Sequence, residues 1–392
     1  MSIEITAYTA GRRINMLVNK PPMGWNSWNT FGEKIDEKLI IETADAMIEQ
    51  GYAALGYEYV IIDDCWALRE RDENGKLVPD PKKFPHGMKY ISDYVHSKGL
   101  KFGMYSCAGV MTCAGYPSSF GHEYEDAKQF AEWGVDYLKY DFCYFPKTAD
   151  CKNAYLTMSM ALRTCGRDIL FAACNWGVEE PWKWMRSIGV HTYRSTGDIF
   201  DKYVSMRDIV QSQENNFSMS APQCFNDIDM LTVGMYGKGL VGIENGCTDE
   251  EYTMEFALWC IYGAPLIIGG DIRSMSENAK KLLQNKELIA INQDAECREP
   301  YKLDALSHEK DRTVLFKIMD NKEYVVMLVN YSDSKIKMAV SLKDLGMPYE
   351  CGKGLELHNV ITGEKKGIVR DYYAEDVEGH SCVVLKGKAV NV

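Results

Sequence analysis

The chain has 392 residues, 46 % hydrophobic and 26 % charged, the balance of an ordinary folded protein and not of a disordered or fibrous one. Acidic residues outnumber basic ones by 56 to 44, and a formal charge of −12 repels polyphosphates and anionic lipid surfaces, so neither nucleic acid nor a membrane is an expected partner. No stretch reaches the roughly 18 consecutive apolar residues that a membrane-spanning helix needs.

The N-terminal stretch shows no apolar core behind a basic start, and Arg12-Arg13 lacks the apolar region of a twin-arginine signal, so the chain is expected to be unexported and cytoplasmic. From about residue 36 one unit recurs: an amphipathic helix, a closing glycine, then a short β-rich run ending in polar residues. Ile40, Ala44, Met47 and Ile48 fall at helical spacing, Gly51 closes the helix, and 59–62 reads as a buried strand ending at Asp63-Asp64. Met88, Ile91 and Val95 precede Gly99 and a strand at 100–105; Ala127, Phe130 and Ala131 precede Gly134 and a strand at 135–141.

Repetition of this kind predicts parallel α/β structure, either a barrel or an open doubly wound sheet. Further strands at 169–173, 191–194, one ending near Asp229, and 264–268, with an opening strand near 22–25, bring the number to eight and favour closure into a (β/α)₈ barrel. No GxGxxG fingerprint or GxxxxGK[ST] loop follows any strand, so no nucleotide cofactor is expected. The glycine-rich stretch 237–246 reads as a mobile active-site loop. After about residue 295 helical periods stop and short β runs at 313–318, 324–329 and 381–385 alternate with Asp-Asn, Ser-Asp and Gly turns. The expected organisation is a catalytic barrel over 1–295 and an antiparallel β domain over 296–392, a sandwich or a sheet packed on the barrel side.

Active sites of such barrels lie at the C-terminal strand ends, and there the sequence places Asp63, Asp64, Asp141, Asp198, Asp227 and Asp229. A single Asp after a strand often caps the next helix, but six are hard to explain as caps. Carboxylate clusters also suit Mg²⁺ or Ca²⁺, yet Lys139 and Arg194 among the acids would repel a divalent ion, so no metal is expected. Paired carboxyls are the equipment of glycosidic hydrolysis. Lys139 and Asp141 share one side of a strand, where the ammonium would hold the carboxylate ionised.

The sequence resembles glycoside hydrolase family 27, the clan D α-galactosidases and α-N-acetylgalactosaminidases, over nearly its whole length. The motifs are Pro21-Pro22-Met23-Gly24-Trp25-Asn26-Ser27-Trp28, Ile62-Asp63-Asp64-Cys65-Trp66, Leu138-Lys139-Tyr140-Asp141-Phe142-Cys143, Arg194 with Asp198, Asn226-Asp227-Ile228-Asp229-Met230-Leu231, and Pro265-Leu266-Ile267-Ile268-Gly269-Gly270-Asp271. The resemblance implies Asp141 as nucleophile and Asp198 as general acid/base of a retaining exo-α-galactosidase. It also implies substrate binding by Trp28, Asp63, Asp64, Tyr105, Lys139, Asn175, Arg194 and Asp229, an oligosaccharide or glycoside substrate, and a possible homo-oligomer. Cys174-Asn175-Trp176-Gly177 lacks the small Ser and Ala pair that admits an N-acetyl group, which favours galactose over N-acetylgalactosamine; β-L-arabinopyranosidase is the less excluded sister activity. A catalytically silent galactoside-binding protein, or a barrel enzyme with a phosphate site at Gly269-Gly270, are the rivals from other classes.

Cysteine number and spacing give a default of buried free thiols: thirteen residues, an odd number, without CxxC spacing. The resemblance implies a disulfide partner position at Glu33 for Cys65 and at Val190 for Cys174, so those bridges cannot form, whereas Cys113 and Cys143 match a family pair beside the nucleophile.

Overall fold

Eight short parallel strands organise the first part of the computed structural model, which describes residues 17–213, 220–303 and 310–392. They are β1 (Met23–Asn26), β2 (Tyr59–Ile61), β3 (Lys101–Cys107), β4 (Tyr137–Asp141), β5 (Leu170–Ala173), β6 (Thr192–Arg194), β7 (Phe225–Asp227) and β8 (Leu266–Ile268). Neighbours follow chain order, and β8 pairs with β1. The ring closes just beyond β7, where the Leu231 N–H donates to Ile267 (2.8 Å) and its carbonyl accepts from Gly269 (2.9 Å). The alternative of an open doubly wound sheet is thereby excluded. Residues 1–16, which carry most of the export argument, lie outside the described residues.

The helices are α1 (Trp28–Phe31), α2 (Glu37–Glu49), α3 (Gly87–Ser97), α4 (Glu123–Trp133), α5 (Cys151–Thr164), α6 (Tyr203–Gln213), α7 (Asp249–Tyr262), α8 (Glu277–Leu283) and α9 (Lys286–Asn292). Helix α2 starts where the Asp36 carboxylate accepts from the Leu39 N–H (2.8 Å), and Leu39, Ile40, Ala44 and Met47 are buried against the barrel. Ile48, assigned to the same face from the sequence, is 41 % exposed: eight residues from Ile40 it stands roughly 80° round the helix, at the edge of the stripe. Between β5 and β6 the connection is two 3₁₀ turns, Pro181–Lys183 and Met185–Ile188, the second closed by the left-handed Gly189.

Along β4 the pleat sends Leu138 and Tyr140 outward to the helices and Tyr137, Lys139 and Asp141 inward, so one row climbs from the apolar barrel interior to its C-terminal rim. The C-terminal part contains β9 (Tyr301–Lys302), β10 (Arg312–Ile318), β11 (Tyr324–Asn330), β12 (Ile336–Ser341), β13 (Lys353–Asn359), β14 (Lys365–Val369), β15 (Tyr372–Val377) and β16 (Ser381–Asn391). Six of these form one sheet in the order β14-β13-β16-β11-β10-β9, and β12 pairs with β15 in a second. Val326, Leu328 and Leu385 of the large sheet pack with Met338 and Val340 of the small one, while Val325, Met327, Val329 and Val384 join the barrel core. Both arrangements that the sequence left open therefore coexist, and the near-continuous apolar run of β11 reflects burial on two faces.

Candidate active site

Asp141 ends β4 with 6 % of its surface exposed. Its carboxylate accepts from the Phe142 N–H (2.9 Å) and the Tyr105 hydroxyl (3.1 Å). Burial pushes the carboxyl up to about 6, against the pull of the Lys139 ammonium and the Phe142 N–H, with the charges of Asp63 and Asp198 adding to the rise. The sequence reading had the sign of the Lys139 effect right, but burial outweighs it, and the ammonium donates to Asp63 Oδ2 (2.9 Å) instead of Asp141. Burial also opposes the charge of Lys139, yet the acids around it, Asp63 foremost, hold it protonated well above the ordinary lysine value.

Asp63 accepts in addition from Asn26 Nδ2 (2.7 Å), and Asp64 from the Cys65 N–H (2.7 Å) and the Ala114 N–H (2.9 Å). Burial raises the Asp64 carboxyl and those backbone bonds restrain the rise. On the opposite wall Arg194 Nη2 donates to Asp198 (2.6 Å) and Asp229 (2.7 Å). Asp229 adopts a left-handed φ of 88° and accepts from the Ile199 and Met230 N–H groups (2.7 Å each). Burial lifts its carboxyl to about 6, and the Arg194 guanidinium opposes the lift. Asp198 differs from the rest, since 65 % of its side chain is exposed at the rim.

One cavity of about 260 Å³ is lined by Trp28, Asp63, Asp64, Tyr105, Lys139, Asp141, Arg194, Asp198 and Asp229. A void of about 20 Å³ below it, bounded by Tyr137, Cys174 and Asp227 among others, is the size of one water. Asn175 is not brought to either. It is fully buried beyond the end of β5, and the left-handed Trp176 (φ 53°) and Gly177 (φ 82°) fold its amide back so that Nδ2 donates to the Val178 carbonyl (2.6 Å). Of the ten residues expected at the site, Asn175 is thus the one placed outside the cavity.

Sequence reasoning missed Phe200, Leu240 and Val241 as cavity residues and Asn26 as a wall of the void, while Cys113, placed beside the nucleophile from the resemblance, does line the cavity. Asn26 was visible as the polar end of β1, and Leu240 and Val241 lie within the glycine-rich stretch already assigned to the site. That stretch is held in place: the buried Asp201 carboxylate accepts from the Gly237 N–H (2.6 Å), and its own N–H donates to Val241 (3.0 Å). Cys113 and Cys143 are disulfide-bonded, tying the loops after β3 and β4 together beside Asp141, while Cys65 and Cys174 are free and buried.

Carboxylates that only accept and cations that only donate suit a ligand whose hydroxyls do both, and a buried acid and an exposed one on the same cavity supply the pair that glycosidic cleavage uses. Fold and site together define a glycoside hydrolase. A family model described as alpha galactosidase A matches residues 20–294, and one described as the alpha galactosidase C-terminal beta sandwich domain matches residues 309–386. The α-galactosidase of Cyamopsis tetragonoloba is 41 % identical over 97 % of this chain and 90 % of its own length. α-Galactosidase I of Mortierella vinacea superposes with a TM-score of 0.87 at 32 % identity, covering 96 % of this chain and 99 % of that one. An α-galactosidase of Saccharomyces cerevisiae, solved with raffinose, gives 0.85 at 26 % identity over 95 % and 98 %. The chain belongs to the melibiase family of α-galactosidases.

Proposed function

We propose that the chain is a retaining exo-α-galactosidase that releases terminal non-reducing α-D-galactosyl residues from oligosaccharides or glycoconjugates by double displacement. The observation that carries the reading is the asymmetry of the two acids: Asp141 is buried at the floor of the cavity and Asp198 stands exposed at its mouth. Asp198 gives its proton to the glycosidic oxygen as the bond to the anomeric carbon breaks, and Asp141 forms an ester with that carbon. The ester carries no charge, so the ionised form of Asp198 meets less repulsion and can take a proton from water, which attacks the anomeric carbon and frees Asp141. At about 260 Å³ the cavity is smaller than the ~300 Å³ at which sites for drug-sized ligands begin, consistent with a single terminal ring.

In this reading Asp63 and Asp64 accept from the O4 and O6 hydroxyls, Lys139 and Arg194 donate to ring hydroxyls, and Trp28, Tyr105 and Asp229 complete the wall. A buried acceptor left without its hydroxyl costs on the order of 1 to 3 kcal/mol, which is how the Asp pair would separate galactose from its C4 epimer. Family membership supports α-galactosides as substrates, and the relative solved with raffinose supports an oligosaccharide. The absence of a small Ser and Ala pair at 174–177 supports galactose over its N-acetylamino counterpart.

The test is hydrolysis of an aryl α-D-galactopyranoside followed by proton NMR, with the N-acetylgalactosaminide and the β-L-arabinopyranoside as comparisons. Galactose appearing first as the α-anomer supports the proposal; the β-anomer first, or turnover of only a comparison substrate, defeats it. Asp141→Asn should abolish turnover with the fold intact, and a tenth of the wild-type rate would remove Asp141 as nucleophile. A cytoplasmic location is also proposed, on the free Cys65 and Cys174, and recovery of the protein from the culture medium of intact cells would overturn it.

A further inference from the structure

We propose that Phe200 and Leu240 form a platform for the apolar face of the leaving group, and that this platform selects which galactosides are cleaved. The inference rests on the reading of Asp198 as the acid. Exposure within the cavity rises from floor to rim. Asp63, Asp64, Tyr105, Arg194 and Asp229 are at most 4 % exposed, whereas Phe200 is 47 % and Leu240 55 % exposed. The floor is thus polar and closed, and the rim carries two large apolar side chains beside the exposed carboxyl of Asp198.

A glycosidic oxygen within reach of Asp198 directs the rest of the substrate outward past this rim. Phe200 follows Asp198 by two residues, and the Ile199 N–H between them is fixed on Asp229 (2.7 Å). Leu240 belongs to the glycine-rich loop, and its side chain lies over Gly32, where even a Cβ would stand 3.0 Å from Leu240 Cδ2. The two segments are stitched together by the bond from the Asp201 N–H to Val241 (3.0 Å) and by the Asp201 carboxylate, which accepts from the Gly237 N–H (2.6 Å) and the Tyr252 hydroxyl (2.8 Å). The Val241 N–H in turn donates to Asn29 (3.1 Å). The exposed pair therefore stands on backbone segments that are hydrogen-bonded to each other.

Large apolar groups held open to water on a binding cavity gain free energy when a ligand covers them, and the group delivered to this place is the leaving group. An apolar face can come from the C–H face of a pyranose or from an aryl ring, both of which pack on a phenyl side chain.

The experiment measures kcat/KM of wild type, Phe200→Ser, Leu240→Ser and the double variant on three substrates: α-galactosyl fluoride, galactosyl-α-1,6-glucose and an aryl α-galactoside. Fluoride is too small to reach the rim, so its rate reports the galactose site, the two acids and correct folding. The expected result is a fall of about tenfold per substitution in the ratio of the disaccharide or aryl rate to the fluoride rate. A fall confined to the disaccharide assigns the platform to a sugar face, and one confined to the aryl substrate to an aromatic face. Ratios within twofold of wild type for both substrates, including the case in which all three rates fall together, overturn the platform. If the wild-type enzyme does not cleave galactosyl fluoride, the parent reading itself fails, and the platform with it.

Discussion

Replacing Asp141 with Asn removes a charge that the fold holds at a cost, and the variant should be more stable than the wild type. Burial lifts the carboxyl from an ordinary 3.8 to about 6, so between those values the folded chain keeps a proton that the unfolded chain has lost. Stability therefore falls as pH rises through that window, by about 1.4 kcal/mol per unit and about 3 kcal/mol in all, and stays reduced above pH 6. Asn carries no charge at any of these values, and its carbonyl can still accept from the Phe142 N–H. With an unfolding entropy of roughly 2.1 cal/mol/K per residue, the difference amounts to about 4 °C in Tm for a chain of 392 residues. Thermal unfolding followed by circular dichroism at pH 4, 5, 6 and 7.5 should show Asp141→Asn melting about 4 °C above wild type at pH 7.5, with the gap closing toward pH 4. A gap that does not change with pH, or a variant less stable than wild type at pH 7.5, would refute the argument that burial strains this carboxylate.

With Asp141 as the proposed nucleophile, the same carboxyl should set the acid side of the pH profile: kcat/KM should drop tenfold per unit below about pH 6, and a profile flat to pH 5 would mean that the ionised nucleophile is not Asp141. Lys139→Met should move that limb upward by roughly 1 to 2 units, from a unit charge about 6.6 Å away along the strand at an effective dielectric of about 20; an unmoved limb would show that Lys139 does not act on Asp141. Asn175→Ala should leave KM within about twofold of wild type while costing about 1 kcal/mol of stability for the lost bond to Val178, and a tenfold rise in KM would return Asn175 to the ligand.

The barrel was legible because each strand is a short apolar run that ends in a polar residue, and because the pleat assigns sides without knowledge of the fold: Tyr137, Lys139 and Asp141 had to share one. Closure was less legible. It depends on Leu231 pairing beyond the end of β7, inside a segment that reads as a loop and carries the left-handed Asp229. Nine of the ten proposed site residues line the cavity; Tyr105, Lys139, Asp141 and Arg194 take their direction from the strands they belong to, while Trp28, Asp198 and Asp229 lie beyond strand ends. Asn175 lies outside the cavity because the left-handed Trp176 and Gly177 that follow it turn the chain so that its amide bonds the Val178 carbonyl, a local turn that alternation along β5 does not show. Phe200 and Leu240 carried no polar signal and were invisible to a search for chemistry. The weight given to Lys139 was also misjudged, because spacing shows that two charges are neighbours but not how little solvent surrounds them.

The C-terminal domain packs behind the barrel without supplying a residue to the cavity. Helix α7 is buried from Met254 to Tyr262, between the barrel on one side and β16 on the other. From this position Trp259 Nε1 donates to the Asp229 carbonyl (2.7 Å), and the Glu255 carboxyl accepts from the Thr232 N–H (2.6 Å) and hydroxyl (2.8 Å). Burial pushes Glu255 up to about 8, so this carboxyl takes up a proton far more readily than an exposed one. Those three bonds bracket Leu231, the residue that closes the ring, and follow directly on Asp229, the partner of Arg194. An exposed α7 would have neither the apolar surroundings that bury Glu255 nor a fixed indole to hold the turn. The β sheet packed behind it, with Tyr203 of α6 donating to Tyr331 (2.8 Å), completes the burial of α7 from which those three bonds are made. A β domain without cavity residues is thus joined to the barrel through the same sheet face that completes its core.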